Sequence, residues 1–570
     1  MPGIVGIIDR GLGPDAAERQ VSAMVECMLH ESFYTSGTFS FQDFGIHAGW
    51  IAHGGSMAAD QVFWNERQDV ALLFAGECFV DPGVRADLKR AGHDVGNCPG
   101  DWLVHSYEEK GEQFFESLNG LFSGLLLDHR HQRAYLFNDR YGIERLYWFE
   151  GRDATYFATE AKALLSVIPE LRAFDEEGVA DFLAFGCTLG WRTLFRGMRL
   201  APGGSLWTIE NGECRKSQYF DQADWESQSV LPDEDFQATF QETFTRLLPR
   251  YFTSDSEVGI SLTGGLDTRM IMAGSAWHET RPACYTFEGQ KGRSIDGRIA
   301  SQVAKVSGLD HRLLRISDEF LEKFAAIADR TVYITDGCFG IGGAHEIYLN
   351  GLARQLAPVR ITGNFGSEVL RSMSTFKPLG LSSELFQPEF RSSLTGSEGA
   401  HSANQEHPVT FTAFREIPWS LFGSLAAGRS QVLFRTPYLD NELVALAFQA
   451  SQRLRQSPAS ALRFIQDASP ALSEIPTDRG LNGNGEGLLV FLRHLIGEFT
   501  FKLEYLYNDG PPEWLSPMDP LIRGLGSITV AGRHKYLPYR HWYRKELSSY
   551  IREAMTRALN PLLSLAMRRI

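Results

Sequence analysis

The amino-acid sequence predicts an α+β domain with largely antiparallel strands, followed by an α/β domain built on a doubly wound parallel sheet. Before about residue 220, short strand-like runs alternate with turns that are rich in glycine and proline. After residue 235, strand patterns alternate with helical ones, which is the order of a parallel sheet whose ligands bind at the carboxyl ends of its strands. At 570 residues the chain is too long for one hydrophobic core, so we expect two or three domains.

The strands of the first domain are predicted from apolar and β-branched runs between turn residues. Turns such as Pro202-Gly203-Gly204 and Asn211-Gly212 separate them. The predicted strands are residues 3–8, 70–74, 121–128, 133–138, 155–158 and 205–209. The stretch 221–235 is polar and contains proline, so we expect a linker there.

The second domain is predicted from segments in which apolar residues recur about every two residues, as in strands. These alternate with segments in which apolar residues recur about every 3.6 residues, as in helices. In order, we expect a helix at 236–251, a strand at Val258, a helix from about Thr268, a strand at 283–287, a helix at 295–307 and a strand at 359–362. This alternation is typical of parallel strands joined by crossover helices.

Composition excludes several classes of protein. With 43% hydrophobic and 22% charged residues the chain is globular, and a net charge of −15 argues against nucleic-acid binding as its main role. No apolar run reaches eighteen residues, so no membrane span is expected. The first ten residues lack a basic leader, and the seven cysteines lack a C-x-x-C pair or a Cys/His cluster. We therefore expect a cytoplasmic protein with reduced thiols and no zinc site.

A possible phosphate-binding loop follows the strand at Val258. There an apolar run passes into Thr263-Gly264-Gly265, and an acid follows at Asp267. Backbone N–H groups at the two glycines can turn toward an anion, with the N-terminus of the next helix behind them. Asp267 can then hold a divalent cation against that anion. The pattern suits an enzyme that expels pyrophosphate from ATP, and the alternative is an ordinary strand-to-helix turn.

Several further motifs occur in an order that resembles the asparagine synthetase family, over residues 1 to 480. The match implies an N-terminal-nucleophile (Ntn) hydrolase-like glutaminase sandwich at 1–220 and an ATP-pyrophosphatase domain at 236–480, with an extension at 481–570. The motifs are Gly3-Ile-Val-Gly-Ile7, Ala75-Gly76-Glu77, Asp139-Arg-Tyr-Gly-Ile143, Phe157-Ala-Thr-Glu-Ala-Lys-Ala-Leu164, Thr193-Leu-Phe195 with Pro202-Gly203, Thr263-Gly-Gly-Leu-Asp-Thr268, Asp296 with His311, and Arg435-Thr-Pro-Tyr-Leu-Asp440.

The glutaminase half departs from the family pattern. Pro2 stands where the resemblance implies a nucleophilic cysteine, and proline carries no thiol or hydroxyl that could form an acyl-enzyme. Ala75 replaces an asparagine that helps to stabilise the oxyanion. Asp101 keeps the place of the acid that holds the substrate amine, although it serves equally well as a helix cap. We therefore predict that glutamine hydrolysis is lost.

The synthetase half keeps more of the family pattern. The resemblance implies that a carboxylate attacks ATP to give an acyl-adenylate and pyrophosphate, and that an amine then displaces AMP. It places Mg²⁺ on Asp267. Arg269 either neutralises pyrophosphate or is a solvent-facing helix arginine. The residues assigned to ATP are Ser261, Leu262, Thr263, Gly264, Gly265, Thr268, Arg269 and Gly363.

Two further catalytic assignments remain open at this point. Without gaps, Ser367 and Asn364 replace the acids of the family's second loop, whereas an insertion at Phe365 makes Glu368 the second metal-binding carboxylate. The alternative for Glu368 is a structural acid. The family has a lysine after the position of Pro476, and here Arg479 supplies the only nearby cation of fixed charge, unless it caps a helix end.

The predicted function is an AMP- and pyrophosphate-forming amide ligase that uses ATP and Mg²⁺ but not glutamine, similar to the branches of the family that close β-lactam or lasso-peptide rings. Its substrates would be a small-molecule or peptide carboxylate and an amine donor, with neither nucleic acid nor membrane as partner. The alternatives are a non-catalytic binding or regulatory relative and, third, a glutamine-dependent asparagine synthetase. Whether it forms a homo-oligomer or binds a partner protein is open. A basic and aromatic strip at 533–545 is followed by a predicted helix ending near Arg557. The strip packs on the chain's own domains, covers the ATP cleft or receives an anionic partner.

Overall fold

In the computed structural model, the chain is described at residues 2–57, 62–81, 83–96, 100–210, 212–275, 281–290, 293–379, 406–481, 495–499, 502, 542–543, 545–550 and 552–553. It forms two compact units, and each unit is assembled from three segments. The first unit comprises Met1–Val258, Val332–Phe339 and Pro358–Ser460, and the second comprises Gly259–Thr331, Gly340–Ala357 and Ala461–Ile570. The predicted division at residues 220, 235 and 480 stays a prediction.

Two six-stranded sheets form most of the first unit, and all of their pairings given by register are antiparallel. The strand orders are β10-β8-β9-β1-β3-β2 and β12-β11-β7-β6-β5-β4. The strands are β1 Gly3–Asp9, β2 Tyr34–Phe41, β3 Ile46–His53, β4 Phe63–Trp64, β5 Val70–Cys78, β6 Gly120–Asp128, β7 Arg133–Asn138, β8 Tyr147–Glu150, β9 Ala154–Ala158, β10 Arg199–Leu200, β11 Ser205–Glu210 and β12 Glu213–Gln218.

Helices cover the outer faces of both sheets, which makes this part an α-β-β-α sandwich. Strand β1 alternates faces, so Ile4 and Ile8 join the core between the sheets while Val5 and Ile7 pack against the first helix layer. A third core joins the second sheet to the opposite helix layer. The helices up to residue 252 are α1 Pro14–Met28, α2 Gly83–Ala91, α3 Asp101–Lys110, α4 Gln113–Ser117, α5 Ala161–Val167, α6 Glu176–Phe185, α7 Gln222–Glu226 and α8 Asp233–Phe252.

The second unit contains parallel strands that alternate with helices. Strand β14 (Ala283–Glu288) pairs in parallel with β13 (Val258–Ser261) and with β15 (His311–Arg315). Both crossovers include a helix, as the alternating sequence patterns predict. The helices from this region onward are α9 Leu266–Gly274, α10 Ile295–Val306, α11 Asp318–Glu322, α12 Phe324–Ile334 and α13 Ala344–Arg354.

The chain then contributes a parallel strand pair and short helices to the first unit, and it returns to the second unit from Ala461 onward. Strand β16 (Val359–Thr362) pairs with β17 (Leu433–Arg435). The helices after residue 365 are α14 Gly366–Arg371, α15 Pro408–Phe411, α16 Ile417–Trp419, α17 Phe422–Arg429, α18 Asn441–Phe448, α19 Gln452–Arg455, α20 Ala459–Ala468 and α21 Pro470–Ser473, with a π-helical stretch at Thr412–Glu416.

The predicted fold class is confirmed. Strands at 133–138 and 359–362 have the predicted bounds, and the others differ by a few residues. Helix α8 begins three residues before the predicted start, because three consecutive acids form its first turn, where they oppose the positive end of the helix dipole. The stretch predicted as a linker therefore contains α7 and the first turn of α8.

Three other observations bear on the sequence predictions. Within the described residues, no helix combines the length and the apolar character needed to cross a membrane. The six cysteines of that part are free thiols. Most of the basic strip at 533–545, and the chain after residue 553, lie outside the described residues. Within the predicted helix, residues 548–550 and 552–553 are helical. The described Trp542 is 1% exposed and packs against Phe320 in the core of the second unit, as the alternative of packing on the chain's own domains predicts.

Candidate functional site

The loop from Thr263 to Gly265 joins the carboxyl end of β13 to the N-terminus of α9. Its backbone donors have partners within the protein. Gly264 N–H donates to Asp296 Oδ1 at 2.7 Å, and Gly265 N–H donates to Thr263 Oγ1 at 3.3 Å. Thr263 N–H donates to Thr268 Oγ1 at 3.4 Å. A carboxylate and a hydroxyl of the protein thus accept from the two glycine N–H groups, and the predicted turn of these groups toward an anion stays a prediction.

Close packing explains why residue 264 is a glycine. A Cβ atom on residue 264 would lie 2.8 Å from Asp296 Oδ1 and 3.1 Å from Asp478 Cβ. Those distances are too short for a side chain without movement of the neighbours. Gly264 therefore allows two acidic residues to approach the loop backbone, one on α10 and one after α21.

Asp296 reaches the loop because Glu288 positions the start of α10. Glu288 ends β14, is 1% exposed, and accepts hydrogen bonds from the backbone N–H and the hydroxyl of Ser294. Ser294 in turn caps α10 by accepting from Gly297 N–H at 2.9 Å. The carboxylate at the end of one strand thus places the first turn of the next helix, and with it Asp296.

The environment of Asp296 disfavours its charged form. Loss of solvent, followed by repulsion from Asp478, raises the pKa of Asp296 to about 6, although the bond from Gly264 N–H opposes that shift. Asp478 N–H also donates to Gly264 O at 3.1 Å, so both acids are tied to the same glycine. A cation placed beside these carboxylates would relieve the repulsion between them.

Arg269 is buried, so the solvent-facing alternative is wrong. It is 2% exposed, and its guanidinium donates to the carbonyls of Ile475, Gly264 and Pro476. Loss of solvent lowers the pKa of Arg269 to about 10, which still leaves it charged at neutral pH. Its described hydrogen bonds attach the 475–476 segment to the loop, and its predicted role at pyrophosphate stays a prediction.

The remaining loop residues predicted to bind ATP surround the start of α9. Ser261 and Leu262 are buried, and Leu262 N–H donates to Tyr285 O at 2.8 Å. Thr268 is buried in the first turn of α9, and its hydroxyl lies 3.2 Å from that of Thr263. Asp267 is half-buried in the same turn. A phosphate and its cation would meet a helix N-terminus here, where the partial positive charge favours an anion.

Arg479 lies in the same unit as the loop and forms an ion pair. Its Nη1 is 3.2 Å from Oε1 of Glu498, and the side chains are 32% and 24% exposed. The adjacent Asp478 contacts Gly264 as described above. Arg479 is therefore one residue away from a group that touches the loop, while its catalytic role stays a prediction.

The second acidic loop belongs to the first unit. Phe365 has a φ of +74°, a left-handed conformation that a bulky residue rarely adopts, and it directly precedes α14. Thr362 Oγ1 donates to Asn364 Oδ1 at 2.8 Å, which ties the turn around Gly363. Glu368 lies in the first turn of α14, half-buried. The strained residue stands where the alignment needs an insertion. The metal-binding role of Glu368, like the ATP contact of Gly363, stays a prediction.

Pro2 lines a small cavity in the first unit. The cavity also meets Gly76 and Glu77 of β5, His53 of β3 and Arg429 of α17, and its volume is about 30 Å³. Pockets that bind small molecules have volumes of roughly 300–1,000 Å³. The cavity is therefore too small for an amino-acid substrate as it stands.

The other residues of the predicted glutaminase motifs have structural roles. Ala75 is 1% exposed and packs in the core between the two sheets. Glu77 accepts hydrogen bonds from Nε and Nη2 of Arg435 at 2.6–3.1 Å. Asp101 is the first residue of α3, where a carboxylate stabilises the positive end of the helix.

Two family models match successive parts of the chain. A family model described as a glutamine amidotransferase domain matches residues 1–220, and one described as asparagine synthase matches residues 239–419. The chain belongs to the asparagine synthetase family. The predicted family is thus confirmed.

The curated relatives from this family are distant. Glutamine-hydrolysing asparagine synthetase 3 of Arabidopsis thaliana is 25% identical over 56% of this chain and 51% of that protein. Asparagine synthetase 2 of Bacillus subtilis is 26% identical over 55% of this chain and 44% of that protein. The chain therefore spans about half the length of these relatives. Among solved structures, glutamine phosphoribosylpyrophosphate amidotransferase from B. subtilis matches 69% of this chain and 89% of its own, at 12% identity and a TM-score of 0.29.

Two acids at the loop were missing from the sequence-based assignment of the site. The sequence-based assignment includes Asp296 only as a matching motif residue. It gives a role to Arg479 but none to the adjacent Asp478. Their contacts with Gly264 join residues that are 32 and more than 200 positions apart. Periodicity reports local structure, so no local pattern signals these contacts. The one sequence signal for these contacts is Asp296 itself, an acid in the first turn of the helix that follows β14.

Proposed function

We propose that this member of the asparagine synthetase family is an ATP-dependent ligase that forms an amide bond and releases AMP and pyrophosphate, without hydrolysing glutamine. The observation that carries the proposal is the loop at Thr263–Gly265, between a parallel strand and the N-terminus of α9, with Asp267 in the first helical turn. This is the position in an α/β fold at which phosphate groups bind. The asparagine synthase match over residues 239–419 supports the same assignment.

In the proposed reaction, a substrate carboxylate attacks the α-phosphorus of ATP and pyrophosphate leaves. An amine then attacks the acyl carbon of the adenylate, and AMP leaves. Residues of α9 fit the first step, because the helix N-terminus stabilises the negative charge of the phosphates and Asp267 can bind the Mg²⁺ that accompanies ATP. Bound Mg²⁺ would withdraw charge from the phosphate oxygens. Arg269 keeps the loop and the 475–476 segment together while ATP binds.

Four features of the first unit support a reaction without glutamine. Pro2 offers no nucleophile, Ala75 offers no oxyanion donor, and Glu77 is already bound by Arg435. The cavity of about 30 Å³ beside Pro2 leaves no room for glutamine. The amine would then be ammonia, a small amine, or an amino group of the substrate itself.

Calorimetric titration with ATP in the presence of Mg²⁺ tests the nucleotide site. We expect binding to the wild-type protein and a loss of about 10-fold or more in affinity for Asp267→Ala, because the variant lacks the cation ligand of the loop. Glu319→Ala is the matched control, since Glu319 is an exposed acid in the first turn of another helix, α11, of the same unit. Equal affinity in Asp267→Ala and wild type would contradict the assignment.

Pyrophosphate release tests the catalytic step. The protein is incubated with ATP, Mg²⁺ and panels of carboxylates that do or do not carry an internal amine. Release that depends on a particular carboxylate, together with no glutamate formed from glutamine, is the expected result. Glutamate formation would favour the third alternative, a glutamine-dependent asparagine synthetase.

One observation favours the second candidate, a non-catalytic member of the family. The carboxylate of Asp296 occupies the Gly264 N–H, so a phosphate would have to displace it or bind only at the helix end. In a non-catalytic relative this bond would be permanent. Absence of ATP binding in both wild type and Asp296→Asn would support that candidate, whereas tighter binding by Asp296→Asn would show that the bond is exchangeable.

A further inference from the structure

Four potential metal ligands meet in the first unit, away from the loop and the Pro2 cavity. Glu66 lies in the turn between β4 and β5, His93 follows α2, and His105 and Glu108 lie side by side on α3. One ligand atom from each of the four side chains lies within 4.8 Å of the other three. Three separate segments of the chain are therefore held at one point.

Four nitrogen-to-oxygen distances in the cluster, counting either oxygen of Glu66, are close to the edge length of a metal coordination tetrahedron. Zn–N and Zn–O bonds of about 2.0–2.1 Å place neighbouring ligand atoms about 3.3–3.4 Å apart. His93 Nδ1 lies 3.7 Å from Glu66 Oε1 and 3.5 Å from Glu108 Oε2. His105 Nδ1 lies 3.6 Å from Glu66 Oε2 and 3.1 Å from Glu108 Oε2. Only the last distance is that of an ordinary hydrogen bond, so hydrogen bonding alone does not account for the cluster.

Neighbouring groups orient the ligands as in a metal site. His93 Nε2 lies 2.9 Å from Glu109 Oε1, a contact that fixes the proton on Nε2 and leaves Nδ1 free to bind a metal. Asn65 Nδ2 donates to Glu108 Oε1 at 2.7 Å, which leaves Oε2 facing the histidines. Asp94 N–H donates to Glu66 Oε1 at 2.8 Å. These outer contacts hold ligands that come from three different segments.

Charge also favours a divalent cation at this point. The two imidazole rings are 4.8 Å apart, so ring nitrogens of both can reach one ion. Glu66 and Glu108 bring two carboxyl groups to the same point, and Arg130 approaches Glu108 no closer than 3.8 Å. A dication between two carboxylates is attracted by both. His105 and Glu108 are mostly buried, with side-chain exposures of 3% and 11%, which increases the cost of leaving those charges unbalanced.

We propose that Glu66, His93, His105 and Glu108 bind one Zn²⁺ ion in a structural site of the amidotransferase-like domain. Two imidazole nitrogens and two carboxylate oxygens form a ligand set that zinc accepts, and four protein ligands leave no position for a substrate. The ion would join α3, the segment after α2 and the β4–β5 turn. The site is independent of the proposed ligase reaction. The sequence prediction of no zinc site rested on cysteine spacing, which a His/Glu set does not use.

The test is a titration of Zn²⁺ into tag-free, full-length protein after removal of metal with a chelator. We expect one Zn²⁺ per chain by calorimetry and by elemental analysis, a rise in the melting temperature, and visible absorption of tetrahedral type when Co²⁺ replaces Zn²⁺. Glu109→Gln should lower the affinity for Zn²⁺ by about 10- to 100-fold, as is typical when a group that orients a ligand is removed. His93→Ala and Glu66→Gln remove ligands themselves, so they should bind Zn²⁺ more weakly still. His345→Ala should keep full affinity, since His345 belongs to the second unit, where it pairs with Glu346.

The variants separate a lost site from a lost fold. The Glu66 side chain is 40% exposed, so Glu66→Gln should fold even if His93→Ala does not, and circular dichroism checks both. Zn²⁺ affinity that is the same in wild type, Glu66→Gln and Glu109→Gln would overturn the proposal. So would a metal-stripped wild-type protein that binds no Zn²⁺ and shows no change in melting temperature.

Discussion

Arg435 holds Glu77 through both its Nε and Nη2 atoms, at distances of 2.6 to 3.1 Å, and Nη1 of the same guanidinium donates to the carbonyls of Tyr251 and Thr253. Glu77 is 9% exposed and Arg435 is 6% exposed. The acid that follows Ala75 and Gly76 in β5 therefore serves the packing of the first unit. Its carboxylate is engaged before any substrate could reach it.

Replacing Arg435 should destabilise the first unit. Arg435→Leu leaves the Glu77 carboxylate buried without its cation, and loss of one partner of a buried pair costs about 3–5 kcal/mol. Arg453→Leu is the control, because Arg453 pairs with Asp233 at the surface and such pairs contribute about 0–1 kcal/mol. Thermal unfolding followed by circular dichroism should show a much larger drop in melting temperature for Arg435→Leu. Equal drops would show that the Glu77 pair is not important for stability.

Restoring the missing nucleophile should not restore glutamine hydrolysis. In Pro2→Cys, and in Pro2→Cys combined with Ala75→Asn, the thiol would face a cavity of about 30 Å³ and a carboxylate already bound by Arg435. We expect no glutamate release from glutamine above that of the wild-type protein, measured by a coupled glutamate assay. Substantial hydrolysis by either variant would mean that the cavity opens readily in solution.

Asp296 should make stability depend on pH in the acid range. Its pKa is raised from 3.8 to about 6, so the unfolded chain loses this proton near pH 4 while the folded protein keeps it until about pH 6. The folded state is favoured below pH 4 and loses that advantage as the pH rises to 6. Asp296→Asn should remove this loss, on the order of 1–3 kcal/mol, and flatten the melting temperature between pH 4 and 6. Glu319→Gln, which changes an exposed acid, is the control. If the melting temperature depended on pH in the same way in wild type and Asp296→Asn, the raised pKa of Asp296 would be contradicted.

Arg479 should affect the second step of the proposed reaction more than the first. Arg479→Met should keep carboxylate-dependent pyrophosphate release while amide formation falls by about 10²- to 10³-fold, the typical effect of removing one group that stabilises developing charge. Arg479→Lys should recover part of that loss. Glu498→Gln breaks the same ion pair but keeps the cation, so it should leave both steps near wild type. Parallel loss of both steps in Arg479→Met would indicate a structural role.

Local patterns predicted the secondary structure because the side-chain period reflects burial within each element. The run 133–138 alternates between two cores and became β7, and the strand–turn–helix pattern at Val258 became β13 and α9. Helix starts were less accurate. The predicted start of α8 missed the three acids of its first turn, since polar residues at a helix N-terminus resemble a loop in a hydrophobicity pattern.

The candidate site was predicted less completely than the fold. The loop at Thr263 was located from its glycines, but its N–H groups turned out to have acceptors on α10 and within the loop itself. Arg269 was expected at pyrophosphate or in solvent, and it binds the carbonyls of residues 264, 475 and 476. The partners on α10 and at residues 475 and 476 are distant in sequence, so these contacts follow from packing that a local pattern does not encode.

Residue identity alone determined what chemistry is absent at two positions: Pro2 brings no nucleophile and Ala75 no oxyanion donor, whatever surrounds them. Residue order likewise determined the family and the succession of an antiparallel and a parallel part, because period and motif order are properties of the chain itself. Tertiary structure decided which charged groups meet. Asp296 at Gly264, Arg435 at Glu77 and the His93–His105 cluster all join distant segments, and the charge state of each group depends on the solvent and partners that folding leaves around it.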